Sequence, residues 1–501
     1  MILFNLDRNS GIRLHKQIIK GIVDLIDRGV LKDGMGLPST RELSSKLGVN
    51  RSTVYEAYQE LIMLGYLESK PGSYTKVRRR TKVVSPGLDE ELRLIDWKKE
   101  LPSCDEIYES FLKEIEEHPS PSSDCFLDFT RISVDKRLYP IEDFKRSLSN
   151  VIVNQGKEIL DYGDPCGYLP LRQYLSDRLQ MHSISACAEN IMITNGSQQA
   201  LEMLLRLFLS TKKEKKVIIE SPTYAEIIPL LRFYSAEVTS VPMLADGMDL
   251  DYLERELKKA DYSFIYTIPS FHNPTGITSP QSHRERLLHL AEKFRVPVIE
   301  DGFDEEMKYF GKIVLPIKSM DKCQIVIYVG TLSKVLFAGM RTGWIVADKE
   351  LIKRLSAFKK YGDLGVNTLS QAAIDHFCRQ GYYDLHIKRM QRIYRRRMHA
   401  ALDTMQKEFP DNVSWIKPEG GYIIWVSVKG PRIDKKVLRS LMLKNNLAVL
   451  SGNKFYFNRM GNNYFRISIS QLNEEEIKRG IALLGKTFRE LNSCMQKIKR
   501  Q

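Results

Sequence analysis

The sequence predicts an α/β protein that carries a small helical head. Residues 126 to about 375 alternate short β-branched runs with helical periods, the pattern of a mostly parallel sheet with crossover helices. Residues from about 376 to 501 mix a long charged helix with further strand runs, which suits a smaller α+β subdomain. Ahead of both, residues 1–77 hold three helical periods and a hairpin pattern. A chain of 501 residues exceeds one ordinary core, so several domains are expected. The expected divisions are 1–77, a connector at 78–125, a large domain at 126–375 and a small domain at 376–501.

In chain order, Leu14–Asp27 places Ile18, Ile19, Ile22, Val23 and Ile26 at helical spacing. Ser39 precedes the next helix with Glu42 three residues on, the pattern of a capping box. That helix stops at Gly48, and a third runs from Arg51 to Leu64, with Val54, Tyr55, Tyr58, Leu61 and Ile62 apolar or aromatic. Helix, glycine turn and helix is helix-turn-helix spacing. Gly65-Tyr66-Leu67 and the stretch Lys70 to Tyr74 read as a hairpin beyond it. The connector opens on Arg78-Arg79-Arg80 and closes on Pro119-Ser-Pro-Ser-Ser123, with helix formers over Leu88–Trp97 and Ile107–Glu117.

Strands are expected at Asn190–Thr194, Val217–Glu220, Phe264–Ile268, Val296–Glu300 and Ile325–Val329. In the last block a helix is expected around His386–Met405. Strands follow near Gly421–Val428 and Tyr464–Ser470, and a closing helix starts at Glu474.

Composition excludes several classes. No apolar run approaches the roughly 18–20 residues that cross a bilayer, and Met1–Lys16 has no signal-peptide core. The seven cysteines are scattered, with no C-x-x-C pair, which points to a reducing cytoplasm and away from structural zinc. Net charge is +14, and residues 1–80 hold 14 Lys/Arg against 8 Asp/Glu, an excess compatible with a polyanionic partner.

The most informative stretch is Tyr328-Val-Gly-Thr331-Leu-Ser333-Lys334 through Arg341-Thr-Gly-Trp344. A lysine just past a buried strand loses its proton readily and can attack an aldehyde. The hydroxyls of Thr331 and Ser333, with Arg341, are placed to hold a phosphate nearby. The expected phosphate cradle, Thr194 to Leu201 with Gly196-Ser197-Gln198 at its centre, follows an apolar strand and opens a helix, so free N–H groups converge on an anion. Tyr224, just after a strand, can lie on a ring face, and Arg466, in an apolar strand, matches a carboxylate.

Together these segments resemble the fold-type I pyridoxal-phosphate enzymes, the aspartate aminotransferase family. The resemblance implies pyridoxal 5'-phosphate (PLP) as cofactor, with Lys334 as its Schiff-base lysine. It also implies that Asn273, in His272-Asn-Pro-Thr-Gly276, donates to the cofactor phenolic oxygen. A carboxylate is expected at the pyridine nitrogen. Glu300 and Asp304 compete for that role with Asp301, which register and the family pattern favour. Phe303 departs from the tyrosine common there among related regulators, which removes one cofactor contact. Lys334, Asp301 and Tyr224 form the implied catalytic group, and Arg466 the handle for a substrate or effector carboxylate. The stretch Tyr162–Arg172 resembles a site-lining segment often supplied by a partner subunit.

The head has its own resemblance. Leu37-Pro-Ser-Thr-Arg41-Glu-Leu43, Leu47-Gly-Val-Asn-Arg51-Ser52-Thr53-Val54, Gly65-Tyr-Leu67 and Pro71-Gly72-Ser73 resemble the GntR winged helix-turn-helix. By that resemblance Arg41, Arg51, Ser52, Thr53 and Gly72 face double-stranded DNA. Head and body together resemble the MocR/GabR regulators. The resemblance implies a cytoplasmic, homodimeric transcription regulator whose body senses an amine, an amino acid or PLP itself. It leaves open a true aminotransferase and a DNA binder with a vestigial pocket. The string Leu385–Arg397 also looks like that subfamily and is assigned no site role.

Overall fold

The computed structural model describes residues 4–70, 74–78, 95–96, 100, 107–108, 111–112, 126–210, 215–303 and 305–500. Packing divides the chain into two units, Met1–Pro102 and Ser103–Gln501.

The first unit holds α1 (Leu14–Asp27), α2 (Thr40–Leu47) and α3 (Arg51–Met63), followed by β1 (Leu67–Glu68) and β2 (Lys76–Val77). The helices meet where the expected stripe predicts, burying Ile18, Ile22, Leu43, Val54, Ala57, Tyr58 and Leu61 in one small core. Each such aliphatic side chain contributes about 1.5–3 kcal/mol. Ser39 caps α2 by accepting from Glu42 N at 3.2 Å, whereas the Glu42 carboxylate turns to Lys46 at 2.7 Å, so only half of the expected box forms. Gly48 ends α2 at φ 65°, where a glycine is unstrained. The returning strand begins at Lys76, after the expected hairpin stretch Lys70 to Tyr74, and this part of the chain also pairs with residues 34–37: Leu37 N donates to Thr75 O and Val77 N to Met35 O. Tyr55, grouped with the apolar positions of α3, is instead exposed.

The second unit centres on an eight-stranded sheet. Its strands follow β3 (Leu127–Asp128) in the chain and are β4 (Ile191–Asn195), β5 (Lys216–Ser221), β6 (Glu237–Leu244), β7 (Gly247–Met248), β8 (Ile265–Thr267), β9 (Val298–Asp301), β10 (Val326–Thr331) and β11 (Thr342–Val346). Their spatial order is β4-β11-β10-β9-β8-β5-β6-β7. The run β10-β9-β8-β5-β6 is parallel; β11 lies antiparallel between β10 and β4, and β7 antiparallel at the far edge. Burial on both faces explains the continuous Val/Ile runs of β5, β9 and β10. The helix α4 (Gly196–Ser210) follows β4 without an intervening residue.

Beyond the large sheet come α5 (Tyr382–Glu408), β12 (Val413–Trp415), β13 (Ile423–Val428), β14 (Leu447–Ala448), β15 (Leu450–Ser451), β16 (Tyr464–Ser468) and α6 (Glu474–Arg500). The antiparallel sheet β12-β13-β16-β15 packs with α5 and α6, and β14 pairs with β3. One core cluster runs from Leu127 through the α5 residues Tyr383, Met390 and Met398 to Phe488, so the final block shares its interior with the large sheet. The expected connector helices lie largely outside the described residues. Among the described residues no helix is long and apolar enough to cross a membrane.

Candidate cofactor and effector site

Parallel strands present their carboxyl ends on one edge, and ligand sites form there. The ends of β4, β9 and β10 bring Gly196, Asp301 and Lys334 to that edge. Lys334 is half-buried, and its Nζ donates to Ile132 O at 2.9 Å. The Tyr422 hydroxyl donates to Lys334 O at 2.7 Å, tying the lysine loop to the turn before β13.

Asp301 is buried at the end of β9 and accepts from Tyr266 OH at 2.9 Å through Oδ2; its Oδ1 is buried without a hydrogen bond. Burial pushes the carboxyl up to about 6, opposed by the Tyr266 hydrogen bond and the Lys334 charge. Glu300 points the other way, accepting from Ile317 N and Lys318 N at 2.7 Å. Asp304 lies outside the described residues. Phe303 is buried and offers no polar atom.

The expected phosphate cradle is tightly built. Gly196 sits at φ 78°, and a Cβ there would lie 2.6 Å from Arg341 Nη2. A Cβ on Gly343 would lie 2.8 Å from Ser197 N, so Gly343 requires glycine for close backbone approach and Gly196 for its positive φ. Arg341 Nη2 donates to Asn195 O at 3.0 Å. The Ser333 hydroxyl is buried without a partner. Thr331 differs from its expected use: its hydroxyl donates to Thr342 O at 3.1 Å and accepts from Ser333 N at 3.1 Å, so it shapes the loop. Gln198 accepts from Tyr224 OH at 3.2 Å. Burial and the Glu226 carboxylate together hold the Tyr224 hydroxyl in its protonated form.

Arg466 is buried on β16, where Nη1 donates to Asn273 Oδ1 at 3.1 Å and Nη2 to Thr130 O, leaving Nε without a partner. Its guanidinium lies 5.1 Å from the Phe455 ring centre, and burial lowers it to about 10. The segment Thr130–Ile132 therefore holds both cations of the site, Arg466 through one carbonyl and Lys334 through another.

Residue-type reasoning missed three supports. Tyr266 looked like strand core, yet it holds Asp301. Lys359, almost fully buried, donates to Asp363 at 2.7 Å and to Gln199 Oε1 at 3.2 Å, while Gln199 accepts from Asn195 N at 2.8 Å. His272, next to Asn273 in the chain, lies 3.1 Å from Glu220, and both are buried. In the stretch Tyr162–Arg172, Arg172 binds Gly167 O and Asp164 as a strut, while Tyr162 is 85% exposed. On the head, Arg41, Arg51 and Ser52 are exposed, Thr53 is half-buried, and Arg51 Nε donates to Thr40 at 3.3 Å. Gly72 lies outside the described residues.

Comparison with known proteins decides the family. Residues 131–484 match the model for aminotransferase class I and II. The chain belongs to that aminotransferase family. Residues 14–77 match the model for bacterial regulatory proteins of the gntR family, so a GntR head is fused to this family's body. Aromatic-amino-acid aminotransferase 1 of Thermococcus litoralis is 34% identical over 70% of this chain and 85% of its own length. The uncharacterized HTH-type transcriptional regulator YdfD of Bacillus subtilis is 30% identical over 96% of this chain and 97% of its own. Among solved structures, the α-aminoadipate aminotransferase LysN of Thermus thermophilus, complexed with N-(5'-phosphopyridoxyl)-L-leucine, superposes with TM-score 0.73. It is 29% identical, and the match covers 80% of this chain and 100% of that one.

Fold and relatives indicate PLP as the cofactor of this aminotransferase-family body. The residues fit it. The unpartnered Asp301 Oδ1 suits a pyridine N–H, the unpartnered Ser333 hydroxyl and the glycine-lined start of α4 suit a phosphate, and Lys334 suits an aldehyde. Bound there, PLP supplies a carbonyl that captures amines reversibly and a protonated ring that draws electrons from their α-carbon.

Proposed function

We propose that this chain is a DNA-binding transcription regulator whose aminotransferase-like body senses an amino acid or related amine through PLP. The reading rests on one juxtaposition. A GntR head with Arg41, Arg51 and Ser52 exposed shares a chain with a pocket that gathers Lys334, Asp301, Asn273 and Arg466. In this reading residues 1–77 grip an operator, 78–125 connect, 126–375 carry the cofactor, and 376–501 supply Arg466. The site would work in a cytoplasmic homodimer, whose paired heads suit paired half-sites.

Roles follow from chemistry. Lys334 would hold the cofactor aldehyde, whose carbonyl chemistry would leave it open to competition by an effector amine. With the cofactor bound, Asp301 would keep the ring nitrogen protonated, Asn273 would donate to the phenolic oxygen, and Tyr224 would offer its ring as a platform. Gly196, Ser197, Gln198, Thr331, Ser333 and Arg341 form or shape the phosphate cradle. Arg466 binds the effector carboxylate through a guanidinium that burial keeps dry. Arg41, Arg51, Ser52, Thr53 and Gly72 contact DNA.

An absorbance titration with PLP, then with a panel of amino acids, tests the reading, repeated with DNA selected from a random duplex pool. A cofactor band that responds to one amino acid, and a DNA affinity that follows it, are expected. Borohydride reduction and peptide mapping should find the pyridoxyl group on Lys334; a folded, PLP-supplied protein without it refutes the cofactor role. A second reading, an active aminotransferase with an accessory head, is favoured by the completeness of the acid, lysine and arginine set. Multiple turnover with a keto acid would establish it.

A further inference from the structure

The exposed face of α5 is more cationic than a solvated helix needs to be. Residues 385–400 contain Lys388, Arg389, Arg392, Arg395, Arg396 and Arg397 and no Asp or Glu. Arg397 is buried and held by Asp135 at 2.6 Å and Ser470 O at 3.1 Å. The other five are exposed, three and four residues apart, on the face opposite Tyr383, Ile387, Met390, Tyr394 and Met398. Arg396 pairs with Glu474 at 3.2 Å, at the start of α6. Asp384, at the other end, is taken by Arg178 at 2.8 Å. Among the described residues Lys388, Arg389, Arg392 and Arg395 have no carboxylate within 4.0 Å.

Like charges at this spacing repel one another along a helix, so the face is unfavourable by itself. Solubility alone is served by mixed charge; an arginine-rich face of one sign is suited to planar, bidentate binding of phosphate. From Lys388 to Arg396 it runs about 12 Å at about 1.5 Å per residue. Successive phosphates on one DNA strand lie about 3.4 Å apart along the axis, so three or four fall within that length.

We propose that Lys388, Arg389, Arg392 and Arg395 form a second DNA contact, on the aminotransferase-like body, that holds the phosphate backbone without reading bases. This rests on the DNA-binding reading above and adds a grip outside the GntR head. It makes affinity depend on duplex beyond the operator and raises the salt sensitivity of binding.

The test is fluorescence anisotropy of the full, PLP-loaded chain on a mixed-sequence duplex of about 60 base pairs across a potassium chloride series. The variants are K388Q/R392Q/R395Q and a control, K322Q/K353Q/K436Q, which removes three exposed lysines elsewhere. Each neutralised phosphate contributes about 0.9 to the slope of log affinity against log salt. The slope of the α5 variant should therefore be shallower by about 2.7 and that of the control almost unchanged. Should the triple variant misfold by circular dichroism, the single R392Q should still flatten the slope by about 0.9. Equal flattening in both triple variants would mean net charge alone acts and overturn the proposal. So would an unchanged slope in the α5 variant, or weakened binding only to vesicles containing phosphatidylserine. A wild-type chain that binds no duplex would instead overturn the DNA-binding reading itself.

Discussion

Burial sets the protonation of Asp301, the carboxylate at the end of β9. In the folded chain its carboxyl is pushed up to about 6, above the ordinary value of 3.8, so the native state binds that proton more tightly than the unfolded chain. The sign follows: this group opposes folding above about pH 6 and ceases to do so as pH falls toward 4. Cofactor-free Asp301→Asn should therefore be more stable than the parent at about pH 8, by at most about 3 kcal/mol. The gap should narrow by about half as thermal denaturation is followed down to about pH 5; a gap that widens contradicts the assignment. Tyr266→Phe acts in the opposite sense on the ionised form, because it removes the hydrogen bond that favours the carboxylate. The PLP band of that variant should change with pH at higher values than in the parent, since a carboxylate stripped of that hydrogen bond is a stronger base and holds the ring proton more tightly.

At the scale of elements, the turn from β4 into α4 is held from behind. Lys359 reaches Asp363 and Gln199, and Gln199 in turn accepts from Asn195 N, one residue before Gly196. Lys359→Met should cost about 2 kcal/mol, less than the roughly 3–5 of a fully buried pair because Asp363 keeps water on one side. PLP affinity should fall with it, which equilibrium dialysis would measure; unchanged affinity would make the network purely structural. The sequence announced β4, β5, β8, β9 and β10, because strands buried on both faces must be continuous Val/Ile runs. It did not announce β11: Thr342-Gly-Trp-Ile-Val contains a glycine that reads as a turn, and the need for Gly343 appears only once Ser197 N lies beside it. Lys334, Asp301 and Arg466 stand out in the sequence as charges beside apolar strands, and Asn273 only through the family resemblance; their roles belong to the proposed function. The supports of the site do not stand out, since Tyr266 in a strand looks like core and Lys359 in an amphipathic helix looks solvated. Only packing shows that each is buried against a carboxylate.

For the whole molecule, sensing requires that pocket and head be coupled, and coupling is reciprocal. If an effector alters DNA affinity by a factor in the usual range of about 5–150, saturating DNA must alter effector affinity by the same factor. Anisotropy gives the first number and absorbance titration the second; unequal factors would show that the ligand and DNA sites are not linked in one equilibrium. The Thr130–Ile132 segment gives such linkage a grammar. It is fastened at two points, by an amine and by a guanidinium, to the two groups that an α-amino acid addresses with its two ends. A decarboxylated analogue engages only one fastening, and a keto acid only the other. Neither should reproduce the full response, so the molecule should distinguish a whole amino acid from either of its halves.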